Sequence, residues 1–185
     1  MATEKLGQAL LVMARNAIGE RFGSAAQAIP TVDDPSALDA AAATFVTLTR
    51  NGRLRGCIGS LQAQRPLRRD VVENALAAAF LDRRFTPLTA DELPHVRVEV
   101  SLLTPPEPLP VRSEAEAISR LRPGFDGVIF SCGGRRATYL PQVWDQLPEA
   151  QQFLAQLKLK AGLPAGFWSD QVRLERYSVE KWCEK

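Results

Sequence analysis

Two β-rich segments joined by the dipeptide Asn51-Gly52 constrain the fold of this chain more than any other feature. The segments are TFVTLTR and RLRGCIGSL, and both favour extended backbone because they contain many β-branched and aliphatic residues. Asn-Gly is preferred in the two-residue type I′ turn, where both central residues need positive φ. The sequence therefore predicts an antiparallel hairpin that turns at residues 51 and 52.

A two-residue turn also sets the pairing within this hairpin. Counting outward from the turn, Leu48 pairs with Arg55 and Val46 pairs with Cys57, and paired residues share one face of a sheet. This register places the Cys57 thiol and the Arg55 guanidinium together, with Gly59 leaving a notch on the same face. An arginine in that position would favour the thiolate.

The glycines that flank Cys57 also admit a purely structural interpretation. Cysteine is among the most buried residue types and usually behaves as a small hydrophobe. Gly56 and Gly59 would then allow the alanine-rich helix that follows to lie close to the sheet. From the residues alone, this interpretation is favoured over a reactive Cys57.

The other segments predict helices mixed with antiparallel strands. Apolar residues recur at helical spacing in three stretches, and VRVEVSLLT alternates between apolar and polar residues like a strand with one buried face. Capping boxes at Thr89–Glu92 and Ser113–Glu116 predict helical turns. The stretch around Gly133-Gly134 predicts a second hairpin, PPEPLP an extended connector, and QVRLERYSVEKW one final strand. The absence of a βαβ rhythm indicates an α+β fold, in which helices flank antiparallel sheets built from hairpins.

Composition excludes several classes of protein. The 185 residues suit one domain, and 45% hydrophobic residues suffice for a core, whereas no apolar run approaches the ~20 residues that span a bilayer. The net charge of +2 indicates no polyanionic partner. Three cysteines without a CxxC pair fit a reducing cytoplasm. The loop of residues 23–41, rich in Ala, Asp and Pro, is the most plausible hinge or boundary.

Several longer segments together resemble a known family. FVTLTRNGRLRGCIGSL, GFDGVIF, GGRRATYLPQVWDQLP and FLAQLKLKAGLP are similar to the AMMECR-type domain, also called component A of the AmmeMemoRadiSam system. The resemblance extends from about Phe45 to the end, with the first helix included. It implies one AMMECR-type domain over residues 1–185, in which residues 1–44 form a helix and hinge-like loop and residues 45–185 carry the signature.

The resemblance implies two unequal subdomains in one compact unit, with a cleft near the segment Arg55–Gly59. Members of the family are cytosolic or nuclear, and their biochemical activity is unsettled. In prokaryotes they occur beside a Memo-like protein and a radical SAM protein, which suggests a shared modification pathway. No cofactor of the chain itself is implied.

The resemblance also identifies site residues. The family signature falls on Leu54, Arg55, Gly56, Cys57, Ile58, Gly59, Asp82, Arg84, Phe85, Glu99, Ser101, Gln142, Val143 and Trp144. Of these, Cys57 and Glu99 are candidate catalytic residues. The candidate binding residues are Arg55, Gly56, Gly59, Arg84, Ser101, Gln142 and Trp144. Family members often carry a second cysteine where this chain has Lys158, and this departure weakens any mechanism that needs a cysteine pair.

Individual chemistries can be weighed from the residues. His95 is the only histidine and sits beside a proline at a strand entrance, so a turn position is favoured over a catalytic base. A zinc site would have to gather Cys57, Cys132, Cys183 and His95 without local spacing, and it is not expected. There is no P-loop. Trp144 and Phe85 are expected in cores more than as ligand platforms.

Glu99 shares a strand face with Arg97 and Ser101, opposite the valines. An ion pair between Glu99 and an arginine is modestly favoured over a general base.

Three functional hypotheses remain. The first, which is slightly preferred, is a binding or accessory component of the pathway. The second is an enzyme that uses Cys57 as nucleophile or redox thiol, with Arg55 orienting an anionic group and Glu99 handling protons. The third is an RNA-binding module, supported only by scattered arginines that more often form a solvated surface. These arginines are Arg65, Arg68, Arg69, Arg83, Arg84, Arg135 and Arg136.

Overall fold

The structure is a computed structural model that describes residues 3–185, and it contains two compact units. The first unit comprises the chain up to Leu103 together with Glu180–Lys185, and the second comprises Thr104–Val179. The loop of residues 23–41, predicted as a hinge or boundary, lies inside the first unit. The division falls after Leu103 instead.

Four helices and nine strands are assigned within residues 3–185. In chain order they are α1 (Glu4–Glu20), β1 (Ala41–Arg50), β2 (Arg53–Gly59), β3 (Arg65–Pro66), α2 (Leu67–Phe80), β4 (Val96–Leu103), β5 (Glu107–Pro108), α3 (Glu114–Arg120), β6 (Gly127–Cys132), β7 (Arg135–Tyr139), α4 (Ala150–Lys160), β8 (Arg173–Tyr177) and β9 (Val179–Cys183). The first unit contains a sheet with the strand order β2-β1-β4-β9, and β3 pairs with β1. The second unit contains a sheet with the order β5-β8-β6-β7. The predicted α+β class with antiparallel sheets is confirmed.

The turn at Asn51-Gly52 is confirmed, but the register beyond it is wrong by one residue. Asn51 and Gly52 have φ of 51° and 74°, as a type I′ turn requires. Thr49 pairs with Leu54, and the register then shifts, so that Thr47 rather than Val46 pairs with Cys57. A β-bulge, in which one strand carries an extra residue, causes this shift.

The bulge decides which residues share a face of the first sheet. Val46 and Leu48 belong to the core cluster formed with α1 and α2, and the partly buried Ile58 packs against it. Cys57 lies on the opposite face, beside its pairing partner Thr47. The predicted grouping of Cys57 with Val46 and Leu48 is therefore incorrect.

The two signature glycines are explained by close packing. A Cβ at Gly56 would lie 2.1 Å from the main-chain oxygen of Ala78, so the backbone of α2 rests directly against β2. A Cβ at Gly59 would lie 2.2 Å from the ring of Phe45. The predicted notch at Gly59 is therefore filled. The predicted close approach of the helix to the sheet holds at Gly56, whereas at Gly59 the ring of Phe45 on β1, rather than the helix, occupies the space.

The end of the chain differs from its prediction as one strand. It forms two strands, β8 in the second sheet and β9 in the first, with Ser178 between them. The segment predicted as a connector also contributes strand residues, because β5 pairs with β8. The hairpin at Gly133-Gly134 is confirmed, with φ of 54° and 80°.

Both predicted helical turns are present, and in each predicted capping box the described residues form one of the two reciprocal hydrogen bonds. The main-chain N–H of Thr89 donates to Glu92 at 3.1 Å, and a short helical turn follows at Leu93–His95. The N–H of Glu116 donates to the hydroxyl of Ser113 at 3.2 Å, at the start of α3. His95 is exposed in its turn, as predicted.

Candidate functional site

Cys57 lies on β2, the outer strand of the first sheet. Its side chain is partly exposed and is a free thiol. The hydroxyl of Thr47, on the neighbouring strand, donates to Sγ at 3.3 Å. The sulfur is therefore neither sealed in the core nor in a disulfide.

The loop after α2 holds the main chain of Cys57 on both sides. Its N–H donates to Oδ2 of Asp82 at 2.9 Å, and its carbonyl accepts from Nη2 of Arg84 at 3.2 Å. Arg84 also donates to both oxygens of Asp82, at 2.9 and 2.7 Å. This pair covers the exposed edge of β2 and fixes the position of the thiol.

Asp82 and Arg84, which hold the main chain of Cys57, stabilise each other in their charged forms. The hydrogen bond from Arg84 holds the pKa of Asp82 far below its usual range, against the opposing effect of burial. The pKa of Arg84 is raised, mainly by the hydrogen bond to Asp82, and negative charge at Cys57 adds a smaller contribution. The pair of Asp82 and Arg84 is therefore held in its charged form beside Cys57.

Arg55, which the sequence placed beside the thiol, is bound to a different group. Its Nε and Nη2 donate to the two carboxylate oxygens of Glu92 at 2.9 and 2.8 Å, and Nη2 also donates to the carbonyl of Thr86. The hydrogen bond from Arg55 is the main reason why the pKa of Glu92 is lowered to about 2. The same carboxylate accepts the main-chain N–H of Thr89, so Glu92 joins β2 to the loop. The sequence identified the capping role of Glu92 but not its partner.

Phe85 lies within reach of both guanidiniums. The Cζ atoms of Arg55 and Arg84 are 5.8 and 5.6 Å from the centre of its ring, which is the range of cation–π contacts. The Phe85 ring thus packs at the junction of the two arginines. Of the candidate binding residues, Arg55 and Arg84 are brought together in this way.

Glu99 lies in the same line of paired residues across the sheet as Cys57, but too far away to contact the thiol. Thr47 pairs with Cys57 on one side and with Glu99 on the other, so the three residues cross β2, β1 and β4 on one face. Two strand spacings separate the backbones of Cys57 and Glu99 by roughly 9–10 Å. The ion-pair partner of Glu99 is Lys181, at 3.9 Å, rather than the predicted arginine. Ser101 lies on the same face, buried opposite Phe45.

A second cysteine, Cys183, lies near Glu99 on β9, the strand at the other edge of the first sheet. Burial is the main cause that raises the pKa of Cys183, and the negative charge of Glu99 adds to it. Cys183 lies on β9 and Cys57 on β2, three strand spacings apart, or roughly 14 Å. A disulfide requires Cα atoms within about 7 Å, so these two cysteines cannot pair in this fold.

The remaining site residues belong to the second unit. Gln142 is exposed in the helical turn Pro141–Asp145. Trp144 is buried, stacks on Phe153 with ring centres 3.8 Å apart, and donates from Nε1 to a main-chain carbonyl at 2.7 Å. The Trp144 indole is thus part of the core of that unit. Lys158, where family members often carry cysteine, is fully buried and bonds to Glu114 at 2.7 Å.

Sequence reasoning missed a buried polar network beneath β1. Asp70 accepts hydrogen bonds from the main-chain N–H and hydroxyl of Thr44, from Arg65 and from Asn74, at 2.6 to 2.9 Å. Asp70 and Thr44 are fully buried. Because its carboxylate oxygens are saturated by donors, Asp70 is a structural residue that ties α2 to β1. An aspartate in the first turn of an amphipathic helix gave no signal of this role.

Neither a metal site nor a membrane span is found in the described part of the chain. Within residues 3–185, no three His, Cys, Asp or Glu side chains are grouped so that they could hold a metal ion. Across the same residues, every helix is too short or too polar to cross a bilayer.

Comparisons with known proteins agree with the resemblance seen in the sequence. The AMMECR1 family model matches residues 11–182. A protein from Methanothermobacter thermautotrophicus is 41% identical over 185 residues, covering 96% of this chain and 94% of that protein. One from Thermofilum pendens is 39% identical, covering 96% of this chain and 89% of its own length. The crystal structure of the uncharacterized protein PH0010 from Pyrococcus horikoshii has a TM-score of 0.79 and 32% identity, covering 100% of this chain and 94% of that one. The chain therefore belongs to the AMMECR1 family.

Proposed function

We propose that this protein is a binding or accessory component of a modification pathway that it shares with Memo-like and radical SAM proteins. The surface around Cys57 is its recognition site. The observation that carries this proposal is that Asp82 and Arg84 hold the main chain of Cys57, while among residues 3–185 the hydrogen-bond partner of its thiol is the hydroxyl of Thr47. Such a group is held in place and partly exposed, as suits a contact residue in a recognition surface.

The absence of a base near the thiol supports recognition over catalysis. A nucleophilic cysteine needs a general base within hydrogen-bond reach or a strongly favoured thiolate. The carboxylate of Asp82 is occupied by Cys57 N–H and by Arg84, and Glu99 is two strands away. Within residues 3–185, no histidine or carboxylate hydrogen-bonds to Sγ.

The surroundings of Cys57 suit a protein partner. Arg97, Glu99 and Lys181 lie on the same face of the sheet and are exposed or partly exposed. Charges of both signs on a fixed backbone favour specific polar recognition over attraction to a polyanion. This mixed surface agrees with the near-neutral net charge of the chain.

Affinity capture tests the proposal. The tagged chain is co-expressed with the Memo-like and radical SAM proteins of the same genome, and captured proteins are identified by mass spectrometry. We expect capture by the wild type, by Cys57→Ala and by Cys57→Ser, and reduced capture by Arg97→Glu. Arg53→Glu makes the same charge change at the exposed hairpin turn and is the matched control. Failure to capture either partner, or equal capture by both charge variants, contradicts the proposal.

The second candidate is an enzyme that uses Cys57. It is favoured by one observation, the partly exposed sulfur that accepts a hydrogen bond from Thr47. In this case Cys57→Ala and Cys57→Ser abolish pathway function in cells while capture of partners is unchanged. Cys183→Ala, which removes an exposed thiol, controls for non-specific effects.

The RNA-binding alternative has weaker support. Six of the seven arginines considered for it already contact groups within the protein, namely Arg65, Arg68, Arg69, Arg84, Arg135 and Arg136. Five of these six guanidiniums are paired with carboxylates and therefore offer less uncompensated charge to a phosphate backbone, whereas Arg135 donates to a neutral carbonyl. Retention of the chain on immobilised RNA at low salt would revive this alternative.

A further inference from the structure

The second unit contains a groove that the proposed function does not use. Its volume is about 570 Å³, within the range of specific binding sites. The groove lies among the connector that follows β5, one side of α3 and the beginning of β8. All of its lining residues belong to the second unit.

The floor of the groove is apolar and fixed. Leu109, Val172 and Leu174 line it, and each belongs to the buried core of the second unit. The N–H of Leu109 donates to the carbonyl of Leu174 at 2.8 Å, which anchors the connector to β8. Pro108 and Pro110 flank Leu109 and restrict its backbone, so the groove is formed before a ligand arrives.

The rim of the groove is cationic. Arg112, Arg120 and Arg173 line it, against one carboxylate, that of Glu116. Glu116 accepts the main-chain N–H of Arg112 at 2.8 Å and is 3.5 Å from Arg120.

One carboxylate offsets only part of the positive charge of the three guanidiniums on the rim. Those of Arg120 and Arg173 donate to neutral main-chain carbonyls, and Arg120 is also paired with the carboxylate of Glu116 at 3.5 Å. The guanidinium of Arg112 has no hydrogen-bond or ion-pair partner among residues 3–185. The rim therefore has an excess of positive charge and a free donor group, both adjacent to an apolar floor.

We propose that this groove binds a short acidic peptide segment, in which an apolar side chain occupies the floor and flanking carboxylates meet the arginines. Arginine matches a carboxylate with two parallel N–H donors, which gives orientation as well as attraction. A nucleic acid fits less well, because the lining contains no aromatic side chain on which a base could stack. This site is separate from Cys57 and does not depend on the function proposed for it.

Fluorescence anisotropy with the full chain tests this proposal. The probes are a labelled peptide Glu-Asp-Leu-Glu-Asp, its variant with serine in place of leucine, and the basic peptide Lys-Lys-Leu-Lys-Lys. We expect binding of the first peptide, weakened by salt, with about tenfold loss for the serine variant and no binding of the basic peptide. Arg112→Glu should weaken binding about tenfold or more, whereas Arg53→Glu, with the same charge change in the first unit, should not.

Several outcomes would overturn the proposal. Absence of binding, equal weakening by Arg112→Glu and Arg53→Glu, or equal affinity for the basic peptide shows that the groove does not select acidic peptides. Competition by inorganic phosphate that matches competition by unlabelled peptide shows a general anion site. Identical thermal unfolding of both charge variants and the wild type confirms that differences in binding do not come from misfolding.

Discussion

Gly56→Ala directly tests the contact between β2 and α2. The added methyl would lie 2.1 Å from the main-chain oxygen of Ala78, whereas ordinary contact begins at 3.4 Å. Strand and helix must therefore separate by about 1 Å, and no flexible side chain is available to move instead. Overpacking typically costs about 1–3 kcal/mol, and alanine recovers about 0.5–1 kcal/mol of backbone entropy relative to glycine.

We expect Gly56→Ala to lower the free energy of unfolding by about 2 kcal/mol, an upper-range overpacking cost reduced by the entropy gain. For a chain of this size, that corresponds to a melting temperature lower by about 4–8 °C. The free energy of unfolding is measured by urea titration, monitored both by far-ultraviolet circular dichroism and by tryptophan fluorescence. Both probes are needed because the two units need not unfold together.

Gly166→Ala is the matched control for this substitution. A Cβ at Gly166 meets no atom within 4 Å, and its φ is not in the left-handed region. Its free energy of unfolding should change by less than about 0.5 kcal/mol. If Gly56→Ala proves as stable as Gly166→Ala, then β2 and α2 are not in direct backbone contact, and the explanation of the signature glycine is wrong.

Three further substitutions test other parts of the structure. The pKa of Glu92 is lowered from 4.5 to about 2, mainly by the hydrogen bond from Arg55, so the wild type should lose stability as the pH falls from about 4.5 to about 2. In Glu92→Gln, the midpoint of urea unfolding should depend less on pH in that range. A Glu92→Gln curve parallel to the wild type would refute this pairing. Glu99→Gln should lower the pKa of Cys183, because it removes a nearby negative charge. The pH dependence of iodoacetamide alkylation measures this pKa, and an unchanged dependence would show that Glu99 does not interact with the Cys183 thiol. Trp144→Phe removes an N–H bonded to a buried carbonyl, so unfolding free energy should fall by about 1–3 kcal/mol, and a neutral result would argue against that hydrogen bond.

Local signals were read correctly from the sequence. The turn at Asn51-Gly52, the second hairpin and the two helical turns at the capping motifs depend on residues within a few positions of one another. Their geometry follows from backbone preference, which each dipeptide or four-residue motif carries by itself. The alternation in β4 likewise predicted correctly that Glu99 and Ser101 share a face.

The candidate site was only partly predictable. Sequence patterns and family resemblance pointed to Cys57 and its neighbours, but the expected partner, Arg55, binds Glu92 instead. The residues that do hold Cys57 are Asp82 and Arg84, which lie 25 and 27 positions further along the chain. Periodicity cannot reveal such contacts, because it describes only neighbours on the same element.

The sequence by itself determined helices α1 to α4, the two hairpin turns and strand β4, because those choices are made by local backbone preference and by the alternation of apolar residues. Only the tertiary structure decided the bulge in β2 and the division of the last segment between two sheets. The bulge and the division both depend on which distant strand or loop forms hydrogen bonds with each main-chain N–H and carbonyl group. A shift of one residue reverses the face of every side chain beyond it, so the surroundings of Cys57 were fixed by packing rather than by pattern.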